Sequence, residues 1–321
     1  MKNLTEREII RIFARQFQGK GMPLGFNDDV SAISISPEKW IIIKTDMLVG
    51  STDVPPGMTM YEAARKAVVA TISDFAAKGV RPLALMASIG LPAPARKTTV
   101  QSLGRGLDQA AREYNCKIIG GDTNHADDVV IDIAGLGIAD PKRLVQRNGA
   151  RPGDIVAVTG PFGKSAAGMK ILMSERRRHV EKFRSLANAV RLPKAQLAIG
   201  MALARIGGAT SSIDSSDGLA MSLHQIAQAS NVGISLDRIP TAREVEEFAR
   251  EYRLSAIDLA LYGGEEYELV LTVRPERFRV LKRRIRTLLE IGIVKPADQG
   301  LTATVKGRHF EIEERGWEHF T

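Results

Sequence analysis

Apolar positions along the chain follow two periods that alternate. Ile9, Ile10, Phe13 and Phe17 recur at helical spacing behind the Thr5/Glu8 capping-box pair, which predicts an opening amphipathic helix. Residues 30–35 and 40–44 read as strands joined by a turn through Pro37, with Asp46 just past the second and a loop over 47–57. Ala63, Ala64, Ala67, Val68, Ile72, Phe75 and Ala76 predict a long helix over 61–78, stopped by Gly79. A strand over 83–91, a helix over 97–114, a buried strand over 117–121 and a long strand over 129–138 follow. The run Asn148 to Asp154 (NGARPGD) breaks the pattern and marks a boundary. Beyond it come a strand over 155–159, a helix over 165–173 and a poorly patterned basic stretch to Leu192. A helix from Asp217 to Ala229, strands over 232–236 and 269–273, and short strands and loops from Leu288 to Trp317 complete the chain. Strands alternating with helices, some paired as hairpins, predict an α+β (mixed α/β) fold of two domains, 1–148 and 149–321, each a mixed sheet with helices packed on one face.

Composition narrows the class. With 321 residues, 44% hydrophobic and 26% charged, the chain can bury two ordinary cores. The single cysteine, Cys116, excludes an intrachain disulfide, and no Cys/His cluster has zinc spacing; a reducing cytoplasm fits. Charged residues interrupt the first 18 positions, so these do not read as a signal peptide, and no window approaches the ~20 apolar residues that span a bilayer. The net charge of +8 gathers in residues 175–184 and 276–286, where helical spacing and the lack of interleaved aromatics argue for solvated faces rather than nucleic-acid binding.

The candidate chemistry is carboxylate chemistry. The apolar pair Ile118 and Ile119 stops at Gly120 and Gly121 and presents Asp122 and Thr123; Ile41 to Ile43 lead to Thr45 and Asp46; Ser211 to Ile213 lead to Asp214, Ser215, Ser216 and Asp217. Asp28 and Asp29 precede the first strand, and Asp74 lies near a helix C-terminus, where the dipole disfavours an acid without a compensating cation. Glycines beside such an acid leave room for ligand oxygens to approach the backbone. Acids brought together at element ends suit a hard cation, so the pattern predicts a magnesium and polyphosphate site. Local structural roles compete: Asp74 could pair with Lys78, Arg147 with Asp154, Asp214 and Asp217 could cap a helix, Glu265 could be a loop acid, and Trp317 could simply pack the C-terminus. Gly160 to Ser165 is not a P-loop, because Val158 stands where that motif needs its first glycine.

Seven blocks in order carry a resemblance: Asn27-Asp28-Asp29, Lys44 to Val49, Ser73 to Ala77, Gly120 to Thr123, Arg147 with Gly149 to Asp154, Ile213 to Leu219, and Gly263 to Leu269. Along nearly its whole length the chain resembles the thiamine-monophosphate kinase family of the aminoimidazole ribonucleotide synthetase-like superfamily. The resemblance implies ATP-dependent phosphorylation of thiamine monophosphate to thiamine diphosphate with several Mg²⁺ ions. It implies metal ligands at Asp29, Thr45, Asp46, Asp74, Asp122, Asp214 and Asp217, ATP contacts at Gly121, Asp122, Arg147 and Ser216, and substrate contacts at Asp53, Glu265 and Trp317. A homodimer formed through the N-terminal sheet is expected by analogy. The chain departs from the family pattern at Lys44, where many members have Ser or Thr, and at Asp53, Thr71, Gly104 and Glu266.

Overall fold

Two mixed sheets lie on either side of the stretch 140–154 in this computed structural model, which describes residues 4–17, 21–24, 28–173 and 180–317. Asn27, Gly19, Gly25, the first part of the basic run (residues 175–179) and residues 318–320 lie outside the described residues. The first half comprises α1 (Glu6–Gln16), β1 (Ser31–Ser36), β2 (Lys39–Val49), α2 (Gly50–Asp53), α3 (Met60–Lys78), β3 (Pro82–Leu91), α4 (Lys97–Glu113), β4 (Ile118–His125) and β5 (Val130–Ala139). Its strands are ordered β1-β2-β5-β3-β4, antiparallel except for the β3/β4 pair.

The second half comprises β6 (Ile155–Val158), α5 (Lys164–Met173), α6 (Arg184–Arg191), α7 (Leu197–Ile206), β7 (Ala209–Asp214), α8 (Leu219–Ser230), β8 (Gly233–Leu236), α9 (Arg243–Tyr252) and α10 (Ala256–Tyr262). It continues with β9 (Leu269–Val273), α11 (Pro275–Arg284), β10 (Leu289–Lys295), β11 (Leu301–Val305) and β12 (Arg308–Glu311). The seven strands are ordered β12-β11-β8-β10-β6-β9-β7, and only β8/β11 is parallel.

Local signals made the ends of the long helices. Thr5 and Glu8 form the expected capping box on α1, Thr59 and Glu62 form another on α3, and Gly79 ends α3 in the left-handed region at φ 67°. Nearly every residue of α3 after its first turn is buried, because the helix is sandwiched between the first sheet and the second half of the chain. On the sheet side Phe75 lies over Gly135, where a Cβ would fall 2.6 Å from the ring. On the other side Gly200 of α7 approaches so closely that a Cβ would sit 1.8 Å from the Ala76 carbonyl oxygen. The two halves therefore meet backbone to backbone along α3, and an acid on that helix faces both.

Two sequence expectations are corrected. β2 runs on to Val49, so Asp46 lies inside the strand rather than past its end, and the predicted loop begins only after the short α2. β4 is an exposed edge strand that continues through Gly120, Gly121 and Asp122, not a buried strand ending at them. Helices α6, α7, α9 and α10 carried weak patterns: in α9 only Val245, Phe248 and Ala249 are buried within a charged run.

Candidate active site

Strand alternation decides which acids converge. On β2, Lys44, Asp46 and Leu48 point toward α3, while Thr45 and Met47 point to the opposite, open face. Asp74 comes off α3 near its C-terminal end, Asp214 is the last residue of β7, and Asp29 lies just before β1. Asp29, Asp74 and Asp214 are all buried, and each offers a carboxylate oxygen within 4.8 Å of the others. Two come from the first half of the chain and one from the second, so the cluster exists only when both halves are folded together. Ser73 donates to Asp214 Oδ2 at 2.7 Å, fixing the carboxylate across the junction.

Basic side chains are built into the same cluster; the sequence offered Lys78 as a local partner of Asp74 and did not point to Lys66. Lys44 Nζ lies 3.2 Å from Asp46 Oδ1 and 3.1 Å from Asp74 Oδ2. Lys78, fully buried at the end of α3, reaches Asp28 Oδ1 at 2.5 Å and Asp29 Oδ2 at 2.8 Å and donates to the Ser212 carbonyl of β7 at 2.8 Å. Arg147 pairs with Asp29, and its backbone N–H donates to Asp28 Oδ2 at 3.0 Å. The competing local pairs are thus not formed: Asp74 takes Lys44 rather than Lys78, while Asp154 accepts from the Arg151 N–H and the Thr210 hydroxyl. A sequence signal for Lys66 and Lys78 did exist, since Lys66 stands before the apolar run 67–70 and Lys78 after 75–77 of α3, where a buried lysine needs a partner.

The electrostatics follow from burial and neighbours. Burial pushes the Asp74 carboxyl well above the usual range, and Asp46, Asp214 and Asp29 add to the rise while Lys44 opposes it. Asp214 is pushed up to about 7, mainly by burial and then by Asp29. Asp29 goes the other way, because Lys78 and Arg147 together outweigh the cost of burying it. Burial likewise opposes the charge on Lys44, but Asp74 and Asp46 hold its ammonium protonated. A set of buried acids too crowded to ionise together is short of positive charge, which is the condition a bound cation relieves. Asp46 Oδ2 is also buried and has no hydrogen-bond partner among the described residues. Oxygen-only donors of this kind fit Mg²⁺.

Beside the cluster, a cavity of about 200 Å³ is lined by Asp46, Asp53, Lys66, Ser216, Asp217, Glu265, Tyr267 and Trp317, with Glu6 of α1 and Met47 at its margin. Lys66 pairs with Glu265 and donates to the Asp53 carbonyl oxygen at 2.8 Å, while the Asp53 carboxylate accepts from the Val49 N–H at 2.7 Å. Glu265 and Tyr267 both adopt positive φ, 61° and 53°, so the loop after Gly264 is held in a conformation that side chains resist. Tyr267 is buried, with Glu265, Asp46, Asp214 and Asp53 close enough to raise its hydroxyl further after burial has done so. Residues 315–317 are fastened beside this cavity: Arg315 lies over the Tyr262 ring at 3.9 Å, and Trp317 N–H donates to the Asp217 carbonyl at 3.0 Å.

The structure does not bring every expected residue together. The Thr45 hydroxyl is on the open face, donating to Asp132 Oδ1 at 2.6 Å, because it is one residue out of phase with Lys44 and Asp46. Register places Asp122 in the row with Ser88, Asp132 and Met47, exposed on that same open face. Gly121 is required by a close strand approach, since a Cβ there would lie 1.8 Å from the Ala87 carbonyl oxygen. Asp217 and Ser216 lie on the cavity side, and Gly218, not an acid, is the residue that caps α8.

Comparison with known proteins agrees with this architecture. Residues 27–139 match the family described as AIR synthase related protein, N-terminal domain, and residues 151–301 match its C-terminal domain. A thiamine-monophosphate kinase of Nitrosopumilus maritimus is 36% identical over 100% of both chains. One from Pyrococcus abyssi is 35% identical over 99% of this chain and 96% of its own length. Among solved structures, AaThiL complexed with AMPPCP and TMP superposes with a TM-score of 0.88 at 27% identity, covering 100% of this chain and 99% of that one.

Proposed function

The chain belongs to the thiamine-monophosphate kinase family of AIR synthase related proteins, and from that premise we propose that it transfers the γ-phosphoryl group of ATP to the phosphate of thiamine monophosphate, giving thiamine diphosphate. The observation that carries the reading is the buried set Asp29, Asp74 and Asp214, joined through Lys44 and Asp46 to a cavity with an aromatic and acidic lining. A neighbour of the same architecture is complexed with AMPPCP, an ATP analogue, and TMP, which supports the same pair of substrates here.

The acceptor needs no general base. A phosphomonoester has a second pKa of about 6, so its attacking oxygen is already anionic at neutral pH. The obstacle is repulsion between two polyanions, and Mg²⁺ supplies the positive charge that offsets it while the transfer runs in line. Asp29, Asp46, Asp74 and Asp214 would hold the metal, with Asp217 as a further ligand; the Thr45 hydroxyl and the Asp122 carboxylate leave this set because both lie on the open face. Arg147, anchored on Asp28 and Asp29, presents a guanidinium to the phosphates, and Gly121 and Ser216 complete the nucleotide side. On the other side Asp53 and Glu265 meet the thiazolium charge or ring donors, and Trp317 offers a stacking face. Lys66 keeps Glu265 and the Asp53 backbone in place for that task.

The open face of the first sheet supports a homodimer. Ile33, Ile35, Ile43, Met47, Leu136 and Ile138 are exposed there on adjacent strands, and an apolar patch of that kind on a sheet calls for a partner. A second copy would cover it, and Asp122 on the same face would then lie near that interface. We place the reaction in the cytoplasm, where ATP is held; among the described residues no helix is long and apolar enough to cross a membrane. We take the domain division at 148/149.

The test is direct: purified protein with ATP, Mg²⁺ and thiamine monophosphate, following thiamine diphosphate. Product formation that Asp214→Asn lowers at least a hundredfold with the fold intact is the expected result. ATP binding without product would instead identify a nucleotide-binding paralogue that no longer turns over.

A further inference from the structure

The acid cluster is already partly neutralised by its own side chains. Asp28, Asp29, Asp46, Asp74 and Asp214 face Lys44, Lys78 and Arg147, so with all five carboxylates ionised, as a bound cation would allow, the three basic groups leave two negative charges, the complement of one divalent ion. Lys78 and Arg147 enter at the Asp28/Asp29 side. Lys44 is different, because its Nζ sits between Asp46 Oδ1 and Asp74 Oδ2, with neither contact longer than 3.2 Å. Bridging Mg²⁺ would need those oxygens about 2.1 Å from the ion, closer than an ammonium between them permits. Ammonium and bridging metal are therefore mutually exclusive at this position. The lysine also has no translational freedom to lose, since β2 delivers it there by strand alternation.

We propose that Lys44 is a tethered cation that takes the place of a divalent ion between Asp46 and Asp74, so that the protein without nucleotide binds one divalent ion, on the Asp29, Asp74 and Asp214 side, instead of two. The inference rests on the proposed metal site and specifies its loading. It makes Lys44 a positioning residue, holding Asp46 toward the cavity and Asp74 toward the cluster with a charge that dilution or chelation cannot remove.

Counting metal ions tests this without turnover. Mn²⁺ alone is titrated into nucleotide-free protein, and bound ions per chain are read by electron paramagnetic resonance and calorimetry for the wild type, Lys44→Thr, Lys44→Met and Lys44→Arg. The wild type and Lys44→Arg should bind one ion, and Lys44→Thr should bind two. Lys44→Met should melt lower than the wild type in chelator and recover more on adding Mn²⁺, a readout that survives if Lys44→Thr folds poorly. Equal ion counts in the wild type, Lys44→Thr and Lys44→Met, with equal recovery on metal addition, would overturn the proposal. A higher count in Lys44→Thr than in a wild type that makes no thiamine diphosphate would support the role of Lys44 and remove the proposed reaction; normal product from the wild type with equal counts in the variants would do the reverse.

Discussion

Replacing Lys78 by methionine should damage the molecule more than any exposed charge deletion, and in a way that identifies the cause. The ammonium is 0% exposed and has three oxygen partners: Asp28 Oδ1 at 2.5 Å, Asp29 Oδ2 at 2.8 Å and the Ser212 carbonyl at 2.8 Å. Methionine fills much the same volume, so little cavity forms, but it strands the two carboxylates. Asp29 keeps Arg147, whereas the donors left to Asp28 among the described residues are backbone N–H groups, of Asp29 and Arg147. Removing one member of a buried ion pair costs about 3–5 kcal/mol. At an unfolding entropy of about 2.1 cal/mol/K per residue, a chain of 321 residues unfolding as one unit would lose about 4–8 °C in Tm. Calorimetry on the wild type, Lys78→Met and the double variant Lys78→Met/Asp28→Asn is the assay. The double variant should recover a large part of the loss, because the amide removes the stranded charge while retaining a hydrogen-bonding group. A single variant within about 1 °C of the wild type, or a double variant no more stable than the single, would refute the reasoning. Lys78 would then be ordinary packing at a domain junction.

Trp317→Ala should raise KM for thiamine monophosphate about fivefold with kcat little changed, the loss expected for a cation–π contact of about 1 kcal/mol; an equal fall in kcat would instead tie the chain end to the transition state. Ile43→Lys with Ile138→Lys should convert a dimer to a monomer in gel filtration with light scattering, and an unchanged mass would remove the open sheet face as the interface. Glu266, buried and accepting from the Gly163 and Ser165 N–H groups, is pushed up to about 8 by burial, above its unfolded value of 4.5. Its contribution to stability is therefore complete below about pH 4.5 and is lost as pH rises toward about 8. Denaturation of Glu266→Gln should accordingly show a flatter stability profile than the wild type across that window, and parallel profiles would show the carboxyl to be ionised throughout.

Local chemistry was legible in the sequence. The Thr5/Glu8 box, the stop at Gly79 and the acid-bearing blocks at 28–29, 46, 74 and 214 each depend on neighbours a few residues apart, and the structure forms those helix ends and brings those acids to one junction. A residue's side of the sheet was harder to read. Thr45 and Asp46 are adjacent in the chain and face opposite ways, and only the pairing of β2 with β5 and the seat of α3 decide which of them meets Asp74. The strand carrying Asp122 looked buried because Ile118 and Ile119 precede it, yet its place at the sheet edge leaves it exposed. The lysines were hidden for the same reason. Spacing shows Lys78 four residues after Asp74, but its partners at Asp28, Asp29 and Ser212 are set by packing α3 between two sheets. Sequence by itself determined which residues could supply charge and where the capped helices α1 and α3 begin and end, because those are short-range matters of propensity and capping. Tertiary structure alone decided which charges share a site, because burial and register bring together groups that lie more than a hundred residues apart in the chain, as Ser73 and Asp214 do.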